Sequence, residues 1–146
     1  MTSLILLAIS QTGAASAAPP PLLGLRIGAE EAQVRAKLDK LGSSAKEEKE
    51  GREAEDEGEM VVWTLKSGPY QTAVVRFKKD RLTSLTAFVR PKASVPFSTI
   101  GSSKSAAVYR DHTAIWNVDA KPHPYRLVAK GPNGQANVVY MLSLER

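Results

Sequence analysis

The sequence predicts an α+β fold: two α-β-β-β repeats forming one antiparallel sheet, with helices packed on one face. Three observations predict it. The pairs Ile27-Gly28 and Ile100-Gly101 each precede a helix-like run. Trp63 and Trp116, 53 positions apart, each sit in a strand-like run. Two further strand-like runs follow each Trp, and Ala73 to Phe77 lies 53 positions before Arg126 to Lys130. A unit recurring at this spacing reads as two copies of one supersecondary element sharing a sheet. The boundaries are a signal peptide over 1–17, a linker over 18–24, a first repeat over 25–95 and a second over 96–146.

In chain order, Leu4 to Ile9 is a short apolar core, and Ala15-Ser16-Ala17 is an A-x-A cleavage signal before Pro19-Pro20-Pro21. This is the pattern of an export signal, and the apolar run is too short to span a bilayer. Ala29 to Leu41 predicts a helix. Glu30 and Glu31 fall in its first turn, Arg35, Lys37 and Lys40 come later, and Val34, Leu38 and Leu41 form one apolar stripe. Gly42 is placed to cap it. Ser43 to Glu59 has no apolar stripe and is expected to be an acidic loop.

Met60 to Lys66 alternates, with Val61, Trp63 and Leu65 on one face. Ser67-Gly68-Pro69 signals a turn. Gln71 to Lys78 places Ala73, Val75 and Phe77 together, Lys79-Asp80 is the hairpin tip, and Arg81 to Arg90 returns as the next strand. In the second half, Ser102 to Arg110 predicts a shorter helix and Ala114 to Asp119 a strand. Lys121 to Pro124 predicts an extended loop, and Tyr125 to Lys130 and Ala136 to Leu144 predict a hairpin. Asn133-Gly134 is a strong turn signal between them. Val138, Tyr140, Leu142 and Leu144 share one face of the last strand. The total is about six strands.

The chain has 146 residues and a formal net charge of +5. Ser43 to Glu59 holds three basic and eight acidic residues, a net of −5, which leaves +10 on the remainder. There is no cysteine, which excludes disulfides, thiolate metal sites and cysteine nucleophiles. No phosphate-binding loop and no G-x-S-x-G occurs. The two histidines, His112 and His123, offer a hydrolase reading, but Asp111 and His112 are adjacent and cannot orient one another as a triad requires. A metal site of His112, Asp119 and His123 has a spacing that fits no compact ligand motif. Neither catalysis nor a cofactor or metal is therefore expected.

The run Gly24 to Gly42 (GLRIGAEEAQVRAKLDKLG), then Trp63-Thr64-Leu65 and the hairpin residues Val75 to Leu82 (VRFKKDRL), resembles the SmpA/OmlA outer-membrane assembly lipoprotein and the β-lactamase-inhibitor protein. The inhibitor carries two tandem copies of such a unit. The acylated cysteine of the lipoprotein and the disulfides of the inhibitor are absent here. The resemblance implies a small envelope or secreted domain that binds other proteins through an open sheet face.

The expectation is an exported, non-enzymatic protein-binding module, periplasmic or secreted, that uses the open sheet face and its hairpin loops. Candidate partner-binding residues are Arg76, Lys78, Lys79, Arg81, His123 and Tyr125. The partner is a protein of the envelope or exterior, with anionic lipid or polysaccharide as a further class suited to a basic surface. Nucleic acid is not expected, because aromatic residues near the basic hairpin are few. A carrier of a small lipid or apolar ligand is the alternative, and a hydrolase using His112 or His123 a lesser one.

Overall fold

The computed structural model describes residues 19–46 and 58–145. The predicted signal peptide and most of the acidic loop lie outside them. The fold is α+β and mostly sheet. Helix α1 spans Glu31–Leu41 and helix α2 Phe97–Ile100. Eight strands form one antiparallel sheet: β1 (Gly42–Lys46), β2 (Glu59–Leu65), β3 (Tyr70–Lys78), β4 (Arg81–Val89), β5 (Val108–Tyr109), β6 (Thr113–Val118), β7 (Tyr125–Lys130) and β8 (Val138–Ser143). The sheet order is β1-β2-β3-β4-β8-β7-β6-β5. Each half runs as a meander of four strands, and the halves meet where β4 pairs β8, from Phe88↔Val138 to Ser84↔Leu142.

One side of the sheet is the core. Val61, Trp63 and Leu65 of β2, Ala73, Val75 and Phe77 of β3, Leu85 and Ala87 of β4, and Val139 and Met141 of β8 are all buried. Leu127 and Ala129 of β7 with Ala114, Trp116 and Val118 of β6 continue the same cluster. Period-2 alternation places these residues together, because successive side chains on a strand point to opposite faces. Val34 and Leu38 of α1 and Phe97 and Ile100 of α2 belong to that cluster, and α1 touches β1, β2 and β4. On β4, Leu82 and Leu85 are both buried although three positions apart. The β3–β4 register shifts there, leaving Thr83 as an extra residue that restores the inward direction.

Several expectations are corrected. The sheet has eight strands among the described residues rather than six. Ser43 to Lys46 is strand β1, paired with β2 from Gly42↔Leu65 to Lys46↔Val61, and not the start of a loop. Gly42 does cap α1, its amide donating to the Leu38 carbonyl, and does so with extended backbone at φ −176°. It is glycine because a Cβ there would overlap the Thr64 carbonyl as the chain passes from helix to strand. Ser102 to Arg110 is not helical. Ile100 ends α2 rather than preceding a helix, and Ser102 to Ser105 form a turn. Serine side chains there bond nearby backbone, with the Lys104 amide donating to Ser102 Oγ at 3.1 Å and Ser105 Oγ to the Ser102 carbonyl. Such local bonds compete with the helical ladder.

The two Trp residues hold comparable places on β2 and β6, with relative exposures of 0% and 1%. Trp63 pairs with Ala73, whereas Trp116 pairs with Leu127, so corresponding third-strand residues lie 54 positions apart, at 73 and 127. The single-residue difference matters, because a slip of one exchanges the two faces of a strand. Arg126 accordingly points away from the core that Ala73 joins.

Candidate functional site

Two surfaces gather functional side chains. The first is a cleft at the end of the β4–β8 seam. Beyond Ser84↔Leu142, residues 81–83 of β4 and 143–145 run on without pairing to one another. The segment before α1 takes up the free backbone of β4: the Gly28 amide donates to the Leu82 carbonyl at 2.8 Å, and the Leu82 amide to the Ala29 carbonyl at 2.9 Å. The Glu31 amide, at the first turn of α1, donates to the Asp80 carbonyl at 2.9 Å and ties down the hairpin tip. Between these backbones lies a cavity of about 380 Å³.

Its walls carry Lys78, Lys79, Arg81 and His123, four of the six residues singled out from sequence, together with Glu145. Ile27, Leu82 and Leu142 supply apolar surface. His123 Nδ1 lies 2.9 Å from Glu145 Oε1. The Arg81 guanidinium donates through Nη1 to the Gly28 carbonyl at 3.1 Å. Gly28 is at φ +90°, and a Cβ there would overlap the His123 ring, so only glycine lets the loop 121–124 close against the N-terminal segment.

The remaining two predicted residues lie elsewhere. Arg76 is half-buried on the sheet side opposite the core, at the β3–β4 bulge, where Thr83 Oγ donates to its carbonyl at 3.2 Å. Tyr125 is in the core, with 1% exposure, on the same side of β7 as Leu127, and is therefore out of reach of a surface partner. Burial pushes its phenol pKa up, opposed by Arg26.

The second surface is the side of the sheet opposite the core. Its central row runs across the strands through Val62, Val74, Thr86, Tyr140, Val128 and Ile115, as the strand registers place them. Phe88 (40% exposed) and Leu142 (43%) flank Tyr140 on the two seam strands. Arg76, Arg126 and Lys130 point to this side, and the described strand residues facing it include no carboxylate. Arg126 Nε donates to Asn117 Oδ1 at 2.9 Å. Sequence reasoning placed Val138, Tyr140 and Leu142 on one face without assigning it. The signal was the unbroken run Val138 to Leu142, in which Val139 and Met141 serve the core and their neighbours the other side.

His112 is exposed at a bend, apart from His123. Among the described residues, no three His, Asp or Glu side chains are grouped so as to hold a metal ion. No helix of the described residues is long and apolar enough to cross a membrane. Comparison with protein-family models, with curated protein sequences and with solved structures gives no match.

Proposed function

We propose that this chain is an exported, non-enzymatic protein-binding module of the cell envelope or secreted fraction, engaging its partner with the sheet side opposite the core. One observation carries the reading: that side holds a largely apolar row bordered by cations, Arg76, Arg126 and Lys130 among them, with no carboxylate among its described strand residues. Side chains such as Phe88 and Leu142, more than a third exposed at the centre of a sheet, mark an interaction surface. The partner that fits is a protein with an apolar patch bordered by carboxylates. Complementary charge of this kind sets orientation and association rate.

The tandem organisation belongs to the same proposal. The symmetric strand order, the two buried Trp residues and the helical segment before each meander support two copies of one unit, each with its helix against the core side. They are also what favours the SmpA/OmlA and β-lactamase-inhibitor resemblance. The apolar run at Leu4 to Ile9 and the Ala15-Ser16-Ala17 site support export.

The test is capture from envelope extract by the purified chain and by a Phe88→Asp variant, which leaves the cleft lining, Leu142 included, unchanged. The reading expects a captured protein whose affinity for the variant falls by about tenfold or more, with the variant's melting temperature unchanged. Equal capture by both chains, or no capture, overturns it. Self-association lost in the variant would instead assign this side to a second copy.

A further inference from the structure

We propose that the cleft at the end of the β4–β8 seam is a binding site for a carboxylate carried on a short apolar stem. This goes beyond the sheet-side reading and does not rest on it. The walls are fixed by backbone hydrogen bonds, Gly28 and Ala29 to Leu82 on one side and the Leu144 amide to the Pro124 carbonyl at 3.0 Å on the other. A site of this kind is formed before its ligand arrives, as ligand cavities usually are.

Charge selects an anion. Within the cleft lining, Lys78, Lys79 and Arg81 outnumber one carboxylate, Glu145, which is already engaged by His123, while on their outer side the same cations border Glu30, Glu31, Glu59 and Asp80. Arg81 is held by its bond to the Gly28 carbonyl, and a guanidinium so oriented presents a planar fork suited to two oxygens of one group. Glu145 across the cleft penalises a second negative charge on the ligand, which favours a carboxylate over a dianion. The apolar walls select the stem: Ile27 and Leu82 are buried beneath the cleft, and Leu142 is left 43% exposed on its margin. A volume of about 380 Å³ is at the small end for ligand cavities, enough for a short acyl chain or one terminal residue.

The hairpin tip supplies an independent argument. Lys79 (φ 53°) and Asp80 (φ 63°) both adopt the left-handed conformation, which aspartate tolerates but which disfavours a side chain such as lysine's. The β7–β8 loop has two consecutive residues in the same region, and there the sequence uses Asn133 (φ 54°) and Gly134 (φ 70°), the residues that tolerate it. A lysine held in that conformation at the mouth of a cationic cleft is a strained residue at a functional position.

Two sources carry this chemistry: a free short-chain acid, and the C-terminal residue of a polypeptide. An NMR titration of the full chain distinguishes them, using hexanoate, hexanol and acetate, with acetyl-Gly-Leu as the free acid and as the amide. Hexanoate or acetyl-Gly-Leu should shift the amides of Thr83, Leu142 and Glu145. The ligand that binds should do so about tenfold more tightly than hexanol, acetate or the peptide amide, and more weakly as salt is raised. Preference for hexanoate assigns the free acid, and preference for acetyl-Gly-Leu the chain terminus.

The variant Lys78→Gln/Lys79→Asn removes two cations, and asparagine suits the backbone at 79. It should weaken binding about tenfold or more without lowering the melting temperature. Hexanol binding as tightly as hexanoate, cleft amides unmoved by every acid, or a double variant that binds as well as the parent would overturn the proposal.

Discussion

Each tryptophan joins sheet to helical segment through its ring and its N–H together. Trp63 Nε1 donates to Asp39 Oδ1 of α1 at 2.9 Å, and Trp116 Nε1 to the Ser102 carbonyl just beyond α2 at 2.8 Å. Arg35 lies over the Trp63 and Phe77 rings, at 5.9 and 5.2 Å from their centroids, while bonding Glu31 and Glu59. Removing the Trp63 ring opens a cavity that these neighbours cannot fill. Trp63→Ala should therefore cost about 3–5 kcal/mol in urea unfolding. Trp63→Phe should cost less, because the exposed Asp39 carboxylate can turn to water. Tyr70, 9% exposed, has its phenol pKa raised by burial. The unfolded chain loses that proton at about pH 10, while the folded chain keeps it to higher pH. Above that point the unfolded state binds fewer protons, so stability falls as pH rises. At lower pH the group contributes no slope. Urea midpoints at pH 8 and pH 11 should show this loss, and Tyr70→Phe should reduce it.

Among strand connections, the β3–β4 turn places a lysine, Lys79, in backbone that suits it poorly. Two consecutive left-handed residues call for Asn-Gly, and replacing Lys79-Asp80 by it should raise stability by about 1 kcal/mol. The Glu31 bond to the carbonyl of residue 80 is backbone and survives the change. A rise in the denaturation midpoint with unchanged m-value checks it. Helix α1, the central strands and the β7–β8 tip were legible because their apolar spacing and turn residues agree with their geometry, and the β3–β4 tip was legible from the alternating runs on either side of it. Strand β1 was not: Gly42-Ser43-Ser44-Ala45-Lys46 has neither apolar alternation nor β-branched residues. It is a strand because the edge of β2 offers it hydrogen-bond partners. Helix α2 was missed because four residues starting at a Pro-bounded Phe97 present no period to detect. Ser102 to Arg110 was misread for the opposite reason, its alanines suggesting a helix that local serine bonds and β5 displace.

For the whole molecule, the decisive event is how the two meanders join, and that is where reading the sequence stops. Lys78, Lys79 and Arg81 could be grouped because they are neighbours in the chain. Their meeting with His123 and Glu145 depends on β4 finding β8, a pairing that no local pattern encodes. Tyr125 was misplaced because a residue two positions from an accessible histidine can still point inward on a strand. The seam also bears on folding and association. Within each half every strand pairs with its neighbour in sequence, whereas β4 and β8 lie far apart in the chain. The hairpins can close early and the seam late, since distant contacts require more chain ordering before they are made. Until the seam closes, each meander exposes the edge strand, β4 or β8, that the other meander should cover. A neighbouring molecule's β8 offers the same five-residue register to that edge as the chain's own. Strand β4 is therefore the point at which two copies of this chain would exchange halves at high concentration.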